Sequence, residues 1–222
     1  MTFMNRADAG RQLATSLRSL HLVRPLVVGI TRGGVPVAAE VARLLGIPLD
    51  ICVVSKLVAD GATPITIGAV AEGDVGYIDD AIVAQESIAR ERVEQLAVRE
   101  LAEVARQAKL LRDRPPAEVR GRDVILVDDG LLSGGTVHAA VWSLRKRGAT
   151  RITLAVPVAN SAALAAVRAD LDRVVCLESD PELFAIGARF REVWPVSEAE
   201  IIDLLAGVPG GGREALEVAP LI

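Results

Sequence analysis

The stretch VILVDDGLLSGGT, residues 124 to 136, decides how this chain is read. A β-branched apolar run ends on two adjacent carboxylates, Asp128 and Asp129, and turns at once through Gly130, Leu131, Leu132, Ser133, Gly134, Gly135 and Thr136. The carboxylates ask for hydroxyls or a metal, and the glycines and hydroxyls ask for a phosphate. One ligand carrying both is the economical reading.

Working outward, strand-like runs alternate with helical patterns, which is the signature of a parallel sheet covered on both faces. PLVVGI (25–30), PLDICVVS (48–55), DVILVDD (123–129), RITLAVPVA (151–159) and RVVCLES (173–179) read as buried strands. Helical spacing occupies 35–46, 136–148 and 161–169, with a further short helix near 197–205. The expected fold is α/β, a doubly wound, mostly parallel sheet. Residues 56–80 mix β-branched residues with glycine and predict short strands or a ribbon around loops. Apolar positions at 93, 97, 101, 104, 108 and 111 predict a long amphipathic helix within 82–112, broken near its start and stopped before Pro115 and Pro116.

The 222 residues fit one domain over 1–205, with 82–112 as a helical insertion, 180–196 as a small C-terminal hood and 206–222 as a loosely held tail. Apolar residues make up 51% and charged residues 24%, and no apolar run is long enough to span a bilayer. No secretory leader is evident in MTFMNRADAGRQLATSL, so a cytoplasmic location is expected. Cys52 and Cys176 fall inside strands without metal-ligand spacing and read as reduced core thiols. With a net charge of −4 and 3% aromatic residues, the chain lacks the basic, ring-studded surface of a nucleic-acid reader.

In an open α/β sheet, ligands sit beyond the carboxyl ends of the strands, where the 128–136 loop falls. Its glycines let backbone N–H groups turn inward, and the helix that follows offers its positive end to phosphate. Gly135 stands where an ATP-binding P-loop places lysine, and no GxGxxG fingerprint occurs, which disfavours an ATPase or a nicotinamide enzyme. A metal-dependent hydrolase is disfavoured because no further His/Asp/Glu cluster with ligand spacing accompanies the acidic pair. A second phosphate-compatible loop, VGITRGGVPVA (28–38), follows the first strand: Gly33 and Gly34 permit close backbone approach, and Arg32 supplies charge.

With both loops in view, the chain resembles the type I phosphoribosyltransferase family, and most closely a bacterial subgroup with a long helical insertion before the 124–136 signature. The resemblance runs over most of residues 10–200. It implies that 5-phosphoribosyl 1-diphosphate (PRPP) binds with Mg²⁺. Asp128 and Asp129 would then accept the ribose 2- and 3-hydroxyls, residues 130–136 would hold the 5-phosphate, and Thr31, Arg32, Gly33 and Gly34 would face the diphosphate. Lys56, after the second strand, would neutralise the departing diphosphate, and Asp129 is the candidate general base. No metal ligand on the protein itself is expected.

In such a family a nitrogen nucleophile on a base displaces diphosphate at the anomeric carbon. Phe184 and Gly187 in the hood are the candidate base-binding residues, and the acceptor base itself is not named. The alternative is a non-catalytic PRPP- or nucleotide-binding regulatory protein on the same fold. The resemblance is also compatible with a homo-oligomer, while the charge and apolar pattern above point to no nucleic-acid or membrane partner. His138 and His21 are assigned to neither site, since an imidazole needs an orienting partner that spacing alone does not supply.

Overall fold

The computed structural model describes residues 2–60 and 63–208, so most of the tail expected over 206–222, from 209 onward, lies outside the described residues. Five strands form the central sheet: β1 (Leu26–Ile30), β2 (Leu49–Cys52), β6 (Asp123–Val127), β7 (Arg151–Asn160) and β8 (Arg173–Asp180). Their order is β2-β1-β6-β7-β8, and every neighbouring pair is parallel. Because they are central and covered on both faces, β1 and β6 are buried at every position, which is why they read as unbroken apolar runs. Their side chains still alternate between two cores: Val27, Ile125 and Val127 enter one, and Leu26, Val28, Val124 and Leu126 the other.

Two helices pack together on the first face, α1 (Arg6–Leu17) and α2 (Gly34–Leu45). α2 ends as its sequence suggests, at Gly46 in the left-handed region (φ 64°), whose N–H donates to the Ala42 carbonyl. The second face carries α5 (Gly135–Lys146) and α6 (Ser161–Val167). Helix α1 was not foreseen from the sequence. Its signals are modest: Asn5 caps it by accepting from the Asp8 N–H at 3.0 Å, and Ala9, Leu13, Ala14 and Leu17 form the buried stripe.

The ribbon expected over 56–80 is a separate antiparallel sheet of β3 (Val54–Ala59), β4 (Ile65–Ala71) and β5 (Val75–Ile78), in that order. The long helical stretch is broken near its start, into α3 (Asp80–Gln85) and α4 (Arg90–Leu111), and α4 packs on β3. Arg112, extended and just past α4, ties this second sheet to the first: its guanidinium meets Asp50 on β2 and Glu72 beyond β4. α7 (Glu198–Ala206) lies against α2 and α4.

Cys52 and Cys176 are free and sit in β2 and β8. Burial, and then the Glu72 carboxylate, push the Cys52 thiol up to about 12, so it stays protonated and unreactive at neutral pH. No described helix is long and apolar enough to cross a membrane.

The hood is built by two distant segments. Residues 180–196 leave β8 and turn through a 3₁₀ segment, Ile186–Arg189. The N-terminal segment then stitches onto it: the Phe3 N–H donates to the Arg189 carbonyl at 2.8 Å, and the Arg191 N–H returns to the Phe3 carbonyl at 2.9 Å. Phe3, fully buried, packs its ring 5.7 Å from that of Phe190. Residues from early and late in the chain therefore cap the carboxyl ends of the strands together.

Candidate active site

The strand order reverses direction between β1 and β6, and the crevice beyond their carboxyl ends is the place where such sheets bind ligands. Register sets Gly29 beside Val127, so the loops that leave the two strands are forced against each other. The contact is closer than any side chain would allow. A Cβ on Gly33 would sit 2.1 Å from Asp129 Oδ2, and one on Gly34 would sit 2.6 Å from the Val127 carbonyl oxygen. The RGG and DDG motifs thus interlock, and glycine is required at 33 and 34 by approach rather than by dihedral angle. The Thr31–Arg32 peptide bond is cis.

The phosphate-loop candidate, 130–136, wraps the start of α5. Gly134 adopts φ 81°, a conformation that only glycine takes at no cost, and no side chain caps the helix. Its first-turn N–H groups therefore face the loop interior and suit an anion. Leu131 behaves differently from its neighbours. Its side chain is buried, its N–H donates to the Val158 carbonyl at 3.0 Å, and its carbonyl accepts from the Asn160 N–H at 2.7 Å. It anchors the loop to β7, and its N–H is already spent. Ser133 is exposed and Thr136 half-buried at the helix start. Ile186 of the hood rests over Gly130, where a Cβ would come within 2.8 Å of it.

Asp128 and Asp129 are buried side by side, 9% and 8% exposed, which is unusual for adjacent carboxylates. Burial, and then the charge of Asp129, push the Asp128 carboxyl well above its ordinary 3.8, and the Lys56 ammonium pulls the other way. The Asp129 N–H donates to Asp128 Oδ1 at 2.9 Å. The folded protein holds this proton more tightly than the unfolded chain, so this group's contribution to stability falls as pH rises above 3.8. Asp128→Asn keeps the acceptor and removes the titration. Its melting temperature relative to the parent is expected to climb between acid and neutral pH in thermal melts, and a constant offset would contradict this account.

The other residues expected at the site fall into two groups. Lys56, exposed on β3 opposite Ala69, is close enough for its charge to act on Asp128. Thr31 ties its loop down, its N–H donating to the Cys52 carbonyl and its hydroxyl accepting from the Val54 N–H. Arg32 is turned toward α7, pairing with Glu198 at 3.0 Å. Both partners are 38% exposed, and such a pair is worth roughly 0–1 kcal/mol, so an arriving anion can displace it. Phe184 stands 86% exposed on the hood, and Gly187 lies in the 3₁₀ turn with Val193 as its neighbour.

Two features escaped sequence reasoning. Arg6, the first residue of α1, donates from Nε to Asp129 Oδ2 at 2.8 Å and from Nη1 to the Trp194 carbonyl at 2.7 Å. Only a signal for α1 itself would have brought it near the acidic pair. The second is Tyr77 on β5, which stacks on His138 with centroids 4.5 Å apart. Asp170 accepts from Trp142 Nε1 at 3.1 Å and pairs with His138 Nδ1 at 2.7 Å, so His138 is held as packing that docks the antiparallel sheet onto α5. A cavity of about 470 Å³, lined by His21, Arg151, Asp172 and Arg173 among others, lies at the opposite, amino ends of β7 and β8.

Among the described residues no group of three or more His, Cys, Asp or Glu could hold a metal ion. A Mg²⁺ brought with a diphosphate fits this chemistry all the same, since that ion is commonly held by substrate phosphate oxygens and water.

Comparison with known proteins gives a consistent picture. A family model described as "Phosphoribosyl transferase domain" matches residues 3–192. Over 206 residues the chain is 36% identical to "Putative phosphoribosyl transferase Rv0571c" of Mycobacterium tuberculosis H37Rv, a match that covers 91% of this chain and 46% of that protein. The chain therefore spans about half the length of the curated relatives it matches. A shorter match, 43% identical over 54 residues, covers 24% of this chain and 26% of the uracil phosphoribosyltransferase of Lacticaseibacillus paracasei. Among solved structures, TT1426 from Thermus thermophilus superimposes with a TM-score of 0.77 at 36% identity, covering 92% of this chain and 98% of that one.

Proposed function

Because this chain belongs to the phosphoribosyl transferase domain family, we propose that it binds PRPP with Mg²⁺ and transfers the 5-phosphoribosyl group to a nitrogenous base, releasing diphosphate. The observation that carries the proposal is the interlock of the two anion-compatible loops around a buried carboxylate pair. A sugar with phosphate at one end and diphosphate at the other matches that arrangement end to end.

In this reading the uncapped N-terminus of α5 and the Ser133 and Thr136 hydroxyls take the 5-phosphate. Asp128 and Asp129 accept the ribose hydroxyls and hold the ring in place. Arg32 leaves Glu198 for the diphosphate, and Lys56 adds a second positive charge near it. Mg²⁺, when bound with PRPP, supplies further compensation of the diphosphate charge. As the anomeric bond lengthens, positive charge grows on the ribose ring and negative charge on the leaving group, so fixed charges placed for that state lower the barrier. Positioning carries much of the remainder. Phe184 offers an exposed ring for the base to stack on.

A second reading, a protein that binds PRPP without turning it over, requires Arg32 to keep its bond to Glu198 when the diphosphate arrives. One experiment separates the two: diphosphate release from Mg²⁺-PRPP, followed across a panel of purine and pyrimidine bases with a no-base control. Base-dependent release is the expected result. Silence across the panel with PRPP still bound would select the binding-only reading.

A further inference from the structure

We infer that Arg6 is the positioning residue of the ribose site, fixing the Asp129 carboxylate through a fork that also holds the hood. This rests on the PRPP reading above and extends it to a residue outside both loop motifs.

The geometry is specific. Arg6 spends Nε–H on Asp129 Oδ2 at 2.8 Å and Nη1–H on the Trp194 carbonyl at 2.7 Å, so one planar group joins α1, the acidic pair and the hood segment. Both charged side chains are largely withdrawn from water, 18% exposed for Arg6 and 11% for Asp129. A paired charge so placed is held in a defined orientation, unlike a surface ion pair.

Of the two neighbouring carboxylates, Arg6 contacts Asp129, whose charge in turn acts on Asp128. Arg6 uses only Oδ2, which leaves Oδ1 and the remaining lone pairs for a ribose hydroxyl. The fork itself is anchored from behind. Arg6 opens α1 directly after the Asn5 cap, and the buried Phe3 pins the preceding segment to Phe190. A lysine could restore charge beside Asp129, but its compact ammonium lacks the fixed planar spread by which Arg6 reaches Asp129 from Nε and the Trp194 carbonyl from Nη1.

The test is calorimetric titration of the parent protein, Arg6→Ala and Arg6→Lys, with Mg²⁺-PRPP and separately with inorganic phosphate, which can enter either anion-compatible loop but brings no ribose to the carboxylates. Arg6→Ala is expected to weaken Mg²⁺-PRPP binding tenfold or more and to leave phosphate binding unchanged, with Arg6→Lys recovering part of the loss. Should Arg6→Ala fail to fold, Arg6→Met carries the same expectation, since it keeps the apolar stem and has neither the charge nor a donor for Asp129.

Undiminished PRPP binding in Arg6→Ala, while Asp128→Asn/Asp129→Asn loses it, would overturn the role of Arg6 and leave the PRPP reading intact. Equal losses for PRPP and phosphate, unrescued by lysine, would reduce Arg6 to a structural staple and overturn it too. A parent protein that binds no Mg²⁺-PRPP would overturn the functional reading and the inference with it.

Discussion

Gly33→Ala is expected to lose about a hundredfold or more in affinity for Mg²⁺-PRPP while lowering the melting temperature less than Gly34→Ala does. The backbone gives no reason for harm, since Gly33 has φ −62° and ψ −32°, which alanine adopts freely. The harm comes from one contact: the new methyl would sit 2.1 Å from Asp129 Oδ2 and 2.5 Å from its Cγ. To clear the methyl the Asp129 side chain must give up its bond to Arg6, a smaller cost than moving backbone, and it then no longer points at a ribose hydroxyl. Displacement by about 1 Å suffices for a loss of this size. Gly34→Ala is the informative contrast, because its methyl would meet the Val127 carbonyl at 2.6 Å and Asp128 Cα at 2.8 Å, backbone atoms that cannot turn aside. Titration calorimetry and thermal melts on the two variants read the difference. Equal binding by Gly33→Ala and the parent would show that Asp129 has no part in holding the ligand.

Arg112→Ala is expected to destabilise the fold by about 3–5 kcal/mol, the largest effect on stability foreseen for a single side chain here. Arg112 is 7% exposed and fully engaged: Nε meets Asp50 Oδ1 at 2.8 Å, Nη1 and Nη2 meet Glu72 at 3.0 and 2.9 Å, and Nη2 also donates to the Ile51 carbonyl. Burial works against its charge, yet the two carboxylates outweigh that and hold its pKa above the ordinary value. Removing the guanidinium leaves Asp50 with only the more distant Arg114, at 3.9 Å, and Glu72 largely buried, while both still accept from the Ala117 and Val53 N–H groups. Because Glu72 follows β4 and Asp50 lies in β2, the loss loosens the antiparallel sheet that carries Lys56. Urea denaturation measures the cost, and a change under about 1 kcal/mol would contradict the network's role.

The parts of this architecture that the sequence made legible are those written in local pattern. Buried parallel strands need apolar residues on both faces, so β1, β6 and β7 announce themselves. Gly46 and Pro115 mark helix ends by what their backbones allow. The acidic pair and its glycine loop were readable because their chemistry is contiguous. What was hidden depends on contacts made in space.

Arg6 and Asp129 are 123 residues apart in the chain, and nothing near Arg6 names its partner. Helix α1 has little apolar periodicity beyond Ala9, Leu13, Ala14 and Leu17, so the element that delivers Arg6 was itself obscure. The rotation of Arg32 toward Glu198 is likewise a tertiary fact, set by where α7 docks. The antiparallel sheet was foreseen only as short strands or a ribbon, since Gly68 and Gly73 interrupt the alternation that would have marked its pairing.

The measurement that bears most directly on the PRPP reading is calorimetric titration of Mg²⁺-PRPP into the parent protein and into Asp128→Asn/Asp129→Asn. Saturable binding by the parent and its loss in the double variant are expected, with a cooperative thermal melt retained at neutral pH, since relief of the crowded pair is set against the loss of the charged partner of Arg6. Equal affinity in both proteins would contradict the reading, since a ribose held by this site cannot ignore the carboxylates that line it.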